Sequence, residues 1–127
     1  MRIAVTGSTG FIGSALMHKL EQMGHSPVGI VRGSGPGIQW DPAAGTIDKA
    51  ALEGLDAVVH LAGEGVGNKR WSTAQKDRIL RSRVDGTKLL ATTLAQLERP
   101  PSVLLSASAV GYYGDRGQQE LTESDHA

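Results

Sequence analysis

Cysteine is absent from the 127 residues, which rules out a disulfide framework and a thiolate nucleophile and fits a reducing compartment such as the cytoplasm. Aromatic residues make up only 4% of the chain, so the stacking platforms of single-strand nucleic-acid binders are missing. Excess charge is missing too. Thirteen Lys and Arg balance thirteen Asp and Glu, leaving no basic field for nucleic acid and no acidic field for a basic partner. No apolar run approaches membrane-spanning length, and the chain enters a glycine turn so soon after Met1 that no signal peptide fits before it. A soluble, unprocessed, cytoplasmic protein is expected, with neither nucleic acid nor membrane as partner.

Glycine, by contrast, is abundant, with 17 residues. Gly7, Gly10 and Gly13 stand between the short apolar run Ile3-Ala4-Val5 and a segment in which Ile12, Leu16, Leu20 and Met23 recur at helical spacing. The spacing is G-x-x-G-x-x-G rather than the usual G-x-G-x-x-G, but a glycine turn between a buried strand and a helix is the setting a dinucleotide pyrophosphate needs. The turn must be tight, bare backbone must approach the anion, and a helix N-terminus must face it with free N–H groups. We therefore expect the pyrophosphate on Thr9, Gly10, Phe11 and Ile12, with Gly7 and Gly13 shaping the turn. For a protein holding both a dinucleotide and a substrate the chain is short, although one domain over residues 1–127 can bury a core.

Gly24-His25 ends the helix and Pro27–Val31 forms a second strand, giving a β-α-β unit. The residue after that strand meets the adenine ribose in this architecture, and here it is Arg32, with no Asp or Glu between Glu21 and Asp41. A guanidinium suits a 2′-phosphate, so NADP is expected over NAD. Residues 33–37 read as a glycine loop, Ile38–Pro42 as a short edge segment, and Asp48–Leu55 as a short helix capped by Asp48. Asp56–Leu61 is another buried strand, so Leu61, Ala62 and Gly63 should pass beside the dinucleotide. His60, alone in an apolar strand, reads as a hydrogen-bonded core residue, and no metal site is expected. Glu64–Trp71, which includes Asn68, is a donor-rich loop at the substrate mouth. A long helix from Ser72 to about Leu97 follows, with an apolar stripe of Leu80, Val84, Ala91 and Leu94, and with Arg83 near the cofactor edge. Its basic first half reads as a solvated face. Ser102–Ser108 is a strand ending in hydroxyls, and Gly111–Asp115 a loop.

The stretches Thr6–Gly13, His60–Glu64, Arg83–Leu90 and Ser106–Gly114 together resemble the extended and atypical short-chain dehydrogenase/reductases, most of all the epimerase family protein branch often labelled nucleoside-diphosphate-sugar epimerase. The resemblance implies a Rossmann-like α/β domain of three layers with a mainly parallel sheet. It also implies NADP where an arginine stands at Arg32, and a small-molecule substrate such as a nucleotide sugar. Ser108 matches the family's catalytic serine position, with Ser106 as the alternate, and Arg83 stands where many relatives have asparagine.

The family's Tyr-x-x-x-Lys pair, in which lysine lowers the tyrosine pKa for proton exchange during hydride transfer, has no counterpart here. Tyr112 is followed four residues later by Arg116 and Tyr113 by Gly117. The chain stops at Ala127, before or about where the pair, the later strands and the substrate lobe would begin. Two readings follow. One is the cofactor-binding part of an NADP(H)-dependent epimerase or oxidoreductase, inactive as this chain alone. The other is a non-catalytic dinucleotide-binding or sensing module. Either way one sheet edge should be exposed and apolar, a place for a second copy of the chain.

Overall fold

The computed structural model describes residues 1–67 and 69–126. Strand β1 (Arg2–Thr6), helix α1 (Phe11–Gln22) and strand β2 (Ser26–Val31) form a parallel β-α-β unit, with β1 and β2 paired from Arg2↔Ser26 to Thr6↔Ile30. Gly24, at φ +78°, supplies the left-handed residue that stops α1. Strand β3 (Ile38–Asp41) runs parallel to β2, and β4 (Thr46–Ile47) returns antiparallel to β3. Helix α2 (Lys49–Leu52) leads to β5 (Ala57–His60), which pairs with the free side of β1. Helix α3 (Thr73–Leu94) then leads to β6 (Val103–Ser106), parallel to β5.

The sheet order is therefore β4-β3-β2-β1-β5-β6. The chain builds outward from β1 on one side, then crosses to build on the other. Between β1 and β5 lies the switch point at which such sheets bind ligands, beyond the carboxyl ends of the strands.

Side chains alternate across the strands and define the layers. Ala4, Ile30 and Val58 join Ile38 and Trp40 in one apolar cluster with Leu52 and Leu55 around α2 and with Leu90, Leu94 and Leu97 of α3 and the turn after it. Ile3 and Val5 are buried on the opposite face, where α1 packs against β1 and β2. This is the three-layer, mainly parallel, Rossmann-like α/β arrangement that the sequence implied. Glu53 pins the far end, its carboxylate accepting from the Glu98 and Arg99 N–H groups at 3.0 Å each. Those two bonds hold the Glu53 carboxyl below its ordinary pKa.

Several element-level expectations need correction. Ile38–Asp41 is not the sheet edge, because β4 lies outside it. Val110–Tyr113 is a 3-10 turn rather than loop. The stripe assigned to the long helix divides: Leu94 is buried and Ala91 half-buried, with Leu90 beside them also buried, whereas Leu80 is 61% and Val84 53% exposed. A helix of this length is about 33 Å long, while strands of four or five residues reach about 15 Å, so the first half of α3 overhangs the sheet and has no strand to cover. On α1, Ile12 and Met23 are likewise exposed, being at the two ends of the helix, and Leu16 and Leu20 are only half-buried. The outer strand β6 exposes Val103, Leu104 and Leu105, an apolar edge of the kind expected.

Candidate functional site

The turn after β1 is shaped by three glycines with three different jobs. Gly7 has φ +68°, and a Cβ there would also lie 3.1 Å from the backbone of Leu61 and Ala62. Its bareness therefore lets β1's turn lie against the end of β5. The Gly7 carbonyl accepts from Gly10 N–H at 2.9 Å. Gly13 is buried, and a Cβ on it would overlap the Gly7 carbonyl and sit 2.9 Å from Ser8 Cα. So Gly13 seats the helix on the turn, while Gly10 is the N-cap of α1.

That N-cap carries no side-chain hydrogen bond, and α1 has no acidic residue in its first turn. The N–H groups of Phe11, Ile12 and Gly13 have no protein acceptor among the described residues. In α2 and α3 the corresponding ends are closed: Asp48 Oδ1 accepts from Ala51 N–H at 3.1 Å, and Ser72 Oγ from Gln75 N–H at 3.2 Å. Of the three described α-helices, α1 is the one whose positive end no side chain caps, an arrangement suited to an anion.

At the end of β5 the buried Thr6 and His60, opposite each other in register, meet with Thr6 Oγ1 and His60 Nδ1 2.7 Å apart. The same oxygen accepts from Leu61 N–H and Ala62 N–H, each at 3.0 Å. On the other side of the ring, His60 Nε2 lies 3.1 Å from Thr87 Oγ1 of α3, and Trp40 meets the imidazole edge-on at 6.0 Å. Burial pushes the His60 pKa below its usual 6.5. His60 is thus a hydrogen-bonded interior residue.

The segment after β5 is fastened to the overhanging half of α3. Glu64 N–H donates to Ser82 Oγ at 2.9 Å and Gln75 Nε2 donates to Glu64 Oε1 at 3.2 Å, while within the segment itself Trp71 Nε1 donates to the Val66 carbonyl at 2.7 Å. Arg83 Nη1 donates to the carbonyls of Ile79 at 3.1 Å and Glu64 at 3.3 Å. Its guanidinium lies over Gly63, where a Cβ would come within 3.3 Å of Cζ. Asn68 lies outside the described residues. The basic first half of α3 is largely engaged, with Arg78 on Gln75 Oε1 and Arg81 on Asp77.

These elements enclose a cleft of about 840 Å³. Of the residues singled out from sequence, Gly7, Gly10, Phe11, Ile12, Gly13, Leu61, Ala62, Gly63, Arg83, Ser106 and Ser108 all line it. Thr9 and Arg32 do not: Thr9 is exposed on the turn, and Arg32 is exposed directly after β2, two strands away from β5. Glu64, the first residue of the loop expected at the substrate mouth, also lines it, whereas Thr87 and Tyr112 were not singled out as wall residues. Thr87 carried no signal of its own, and Tyr112 reaches the wall through the 3-10 turn that read as loop. No group of three His, Cys, Asp or Glu side chains able to hold a metal occurs among the described residues. Nor is any described helix long and apolar enough to cross a membrane.

Residues 3–127 match the NAD dependent epimerase/dehydratase family. An epimerase family protein of Mycobacterium tuberculosis is 38% identical over 128 residues, covering 98% of this chain and 42% of the relative. Among solved structures, the human epimerase family protein SDR39U1 with NADPH superposes at TM-score 0.78 and 36% identity, over 89% of this chain and 38% of that one. A nucleoside-diphosphate sugar epimerase from Corynebacterium glutamicum gives 0.83 and 37%, over 100% and 26%. MoeE5 in complex with UDP-glucose and NAD gives 0.75 and 30%, over 99% and 42%. The chain thus spans about two-fifths of the length of the curated relatives it matches. With a dinucleotide-type turn, a switch-point cleft and a family match over nearly every residue, the protein belongs to the NAD-dependent epimerase/dehydratase family.

Proposed function

We propose that residues 1–127 form the NADP(H)-binding domain of a nucleotide-sugar epimerase or a related oxidoreductase. The observation that carries the reading is the uncapped N-terminus of α1, opening into the same cleft as Gly63, Arg83 and the serines of β6. The pyrophosphate lies on the free amides of Phe11, Ile12 and Gly13, and the 2′-phosphate on Arg32. The NADPH complex of the human relative and its 36% identity support the cofactor class, while MoeE5 holds NAD, so the choice between them rests on Arg32. Ser106 and Ser108 line the far part of the cleft and are suited to hydrogen-bond a substrate oxygen. Among the described residues no lysine lines that wall to lower a tyrosine pKa, so we expect this chain alone to bind cofactor without turning over a sugar nucleotide.

Calorimetric titration tests the assignment. Unmodified protein should bind NADPH more tightly than NADH, and Arg32→Ala should remove roughly 1.5–3 kcal/mol of NADPH binding while changing NADH little. Equal affinities in the unmodified protein would refute NADP as the preferred cofactor.

A further inference from the structure

The hydrogen bonds around His60 determine where every proton in that chain sits. A hydroxyl oxygen has one proton to give and two lone pairs to receive. Both lone pairs of Thr6 Oγ1 are engaged by the N–H groups of Leu61 and Ala62, so its proton points at His60 Nδ1. Nδ1 is then an acceptor, and the neutral ring carries its own proton on Nε2, which donates to Thr87 Oγ1. Thr87 thereby receives a hydrogen bond and keeps its own proton unassigned. Its hydroxyl makes no bond to the carbonyl one turn back among the described residues, unlike Thr92 on the same helix, which donates to the Lys88 carbonyl at 2.7 Å. Thr87 lines the cleft.

We propose that Thr87 is a ligand-binding hydroxyl of the cleft, oriented by the Thr6–His60–Thr87 chain so that its proton is offered to an acceptor oxygen on the nicotinamide-ribose half of the dinucleotide. The proposal rests on the cofactor reading above, and strand order selects the half. Arg32 follows β2, the phosphate turn follows β1, and Thr87 packs against the end of β5 beside β6. A dinucleotide with its adenosine at Arg32 and its pyrophosphate at α1 therefore carries its other ribose toward Thr87. His60, which is buried at the cleft wall, acts as a positioning residue, because only its neutral form can both receive from Thr6 and donate to Thr87. The side chains facing the ring, Thr6, Trp40 and Thr87, are uncharged, as is Ser106, its register neighbour on β6. The charged residues of the cleft wall are Glu64 and Arg83.

The test is a set of titrations with NADPH and with adenosine 2′,5′-bisphosphate, which keeps the adenine end and lacks the nicotinamide ribose. Thr87→Val should weaken NADPH about tenfold, the equivalent of one hydrogen bond, and leave the bisphosphate unchanged; Thr87→Ser should restore NADPH to within about threefold. Lowering the pH through the depressed His60 pKa should weaken NADPH in the unmodified protein more steeply than in His60→Gln. The ionisation of the ligand's own phosphate is common to both proteins, so the difference belongs to the ring. Nitrogen NMR of the ligand-free protein should show the His60 proton on Nε2. Equal NADPH affinity in Thr87→Val, or a proton on Nδ1, overturns the role of Thr87 while leaving the cofactor reading intact. Failure of the unmodified protein to bind either ligand overturns the cofactor reading itself.

Discussion

Helices α1 and α3 both begin beyond the carboxyl edge of the sheet and both present the positive end of a peptide dipole there, yet the two ends are finished in opposite ways. At α3, Ser72 caps the Gln75 amide, and the buried Gln75 side chain goes on to bind Glu64 of the loop after β5. At α1, a glycine stands in the cap position, no acid follows, and the first amides face the cleft. The same unsatisfied groups are thus closed by the protein's own loop in one helix and left for a ligand in the other. The difference lies in a few side chains at the two starts rather than in helix geometry.

The sharpest way to break the open end is to push it off its turn. Gly13→Ala places a Cβ against the Gly7 carbonyl and Ser8 Cα, which are backbone atoms with nowhere to go. We expect a loss of about 3 kcal/mol, at the upper end of overpacking costs, measured by urea denaturation, together with loss of NADPH binding. A Gly13→Ala protein as stable as the unmodified one would mean that α1 does not rest on the Gly7 carbonyl.

The open end was legible in the sequence and the closed one only partly, for a physical reason. A glycine spacing between an apolar run and a helical period is local, as are the apolar strands, so β1, α1, β2, β5, α3 and β6 could be read to within a few residues. Ser72 and Asp48 were recognisable as caps on the same grounds. What failed depended on where separate elements meet. Leu80 and Val84 continue a helical stripe faultlessly, but whether they are covered depends on where the sheet stops, and it stops short of them. The bonds through His60 need a register that places residues 54 positions apart opposite each other, and a helix docked so that Thr87 reaches the ring. The two-residue strand β4 is too short for any alternation to register.

A smaller effect is expected at the closed end. Ser72→Ala removes the cap of α3 and should cost about 1 kcal/mol, while NADPH affinity stays within about twofold, because the helix end concerned holds a loop and not the ligand. A tenfold loss of NADPH binding in this variant would show that the loop carrying Glu64 is part of the phosphate site and would erase the distinction between the two ends.

The smallest change in stability carries the most diagnostic sign. Phe11 occupies the first helical position of α1 and is almost wholly exposed, so replacing it disturbs no packing. Phe11→Glu adds a negative charge where α1 has none, and a carboxylate in the first turn interacts favourably with the helix dipole. The free protein should therefore gain a few tenths of a kcal/mol, up to about 1 at low salt. The same carboxylate now competes for the amides that a pyrophosphate would occupy and repels it, so NADPH binding should fall on the order of tenfold, with the loss shrinking as salt is raised. Phe11→Gln, uncharged and of similar length, separates the charge from the removal of the ring and should do neither. Stability and affinity moving in opposite directions is the signature of a helix end held open for an anion. A Phe11→Glu protein that gains stability and still binds NADPH as before would place the phosphates away from α1, and the open end would then need another ligand.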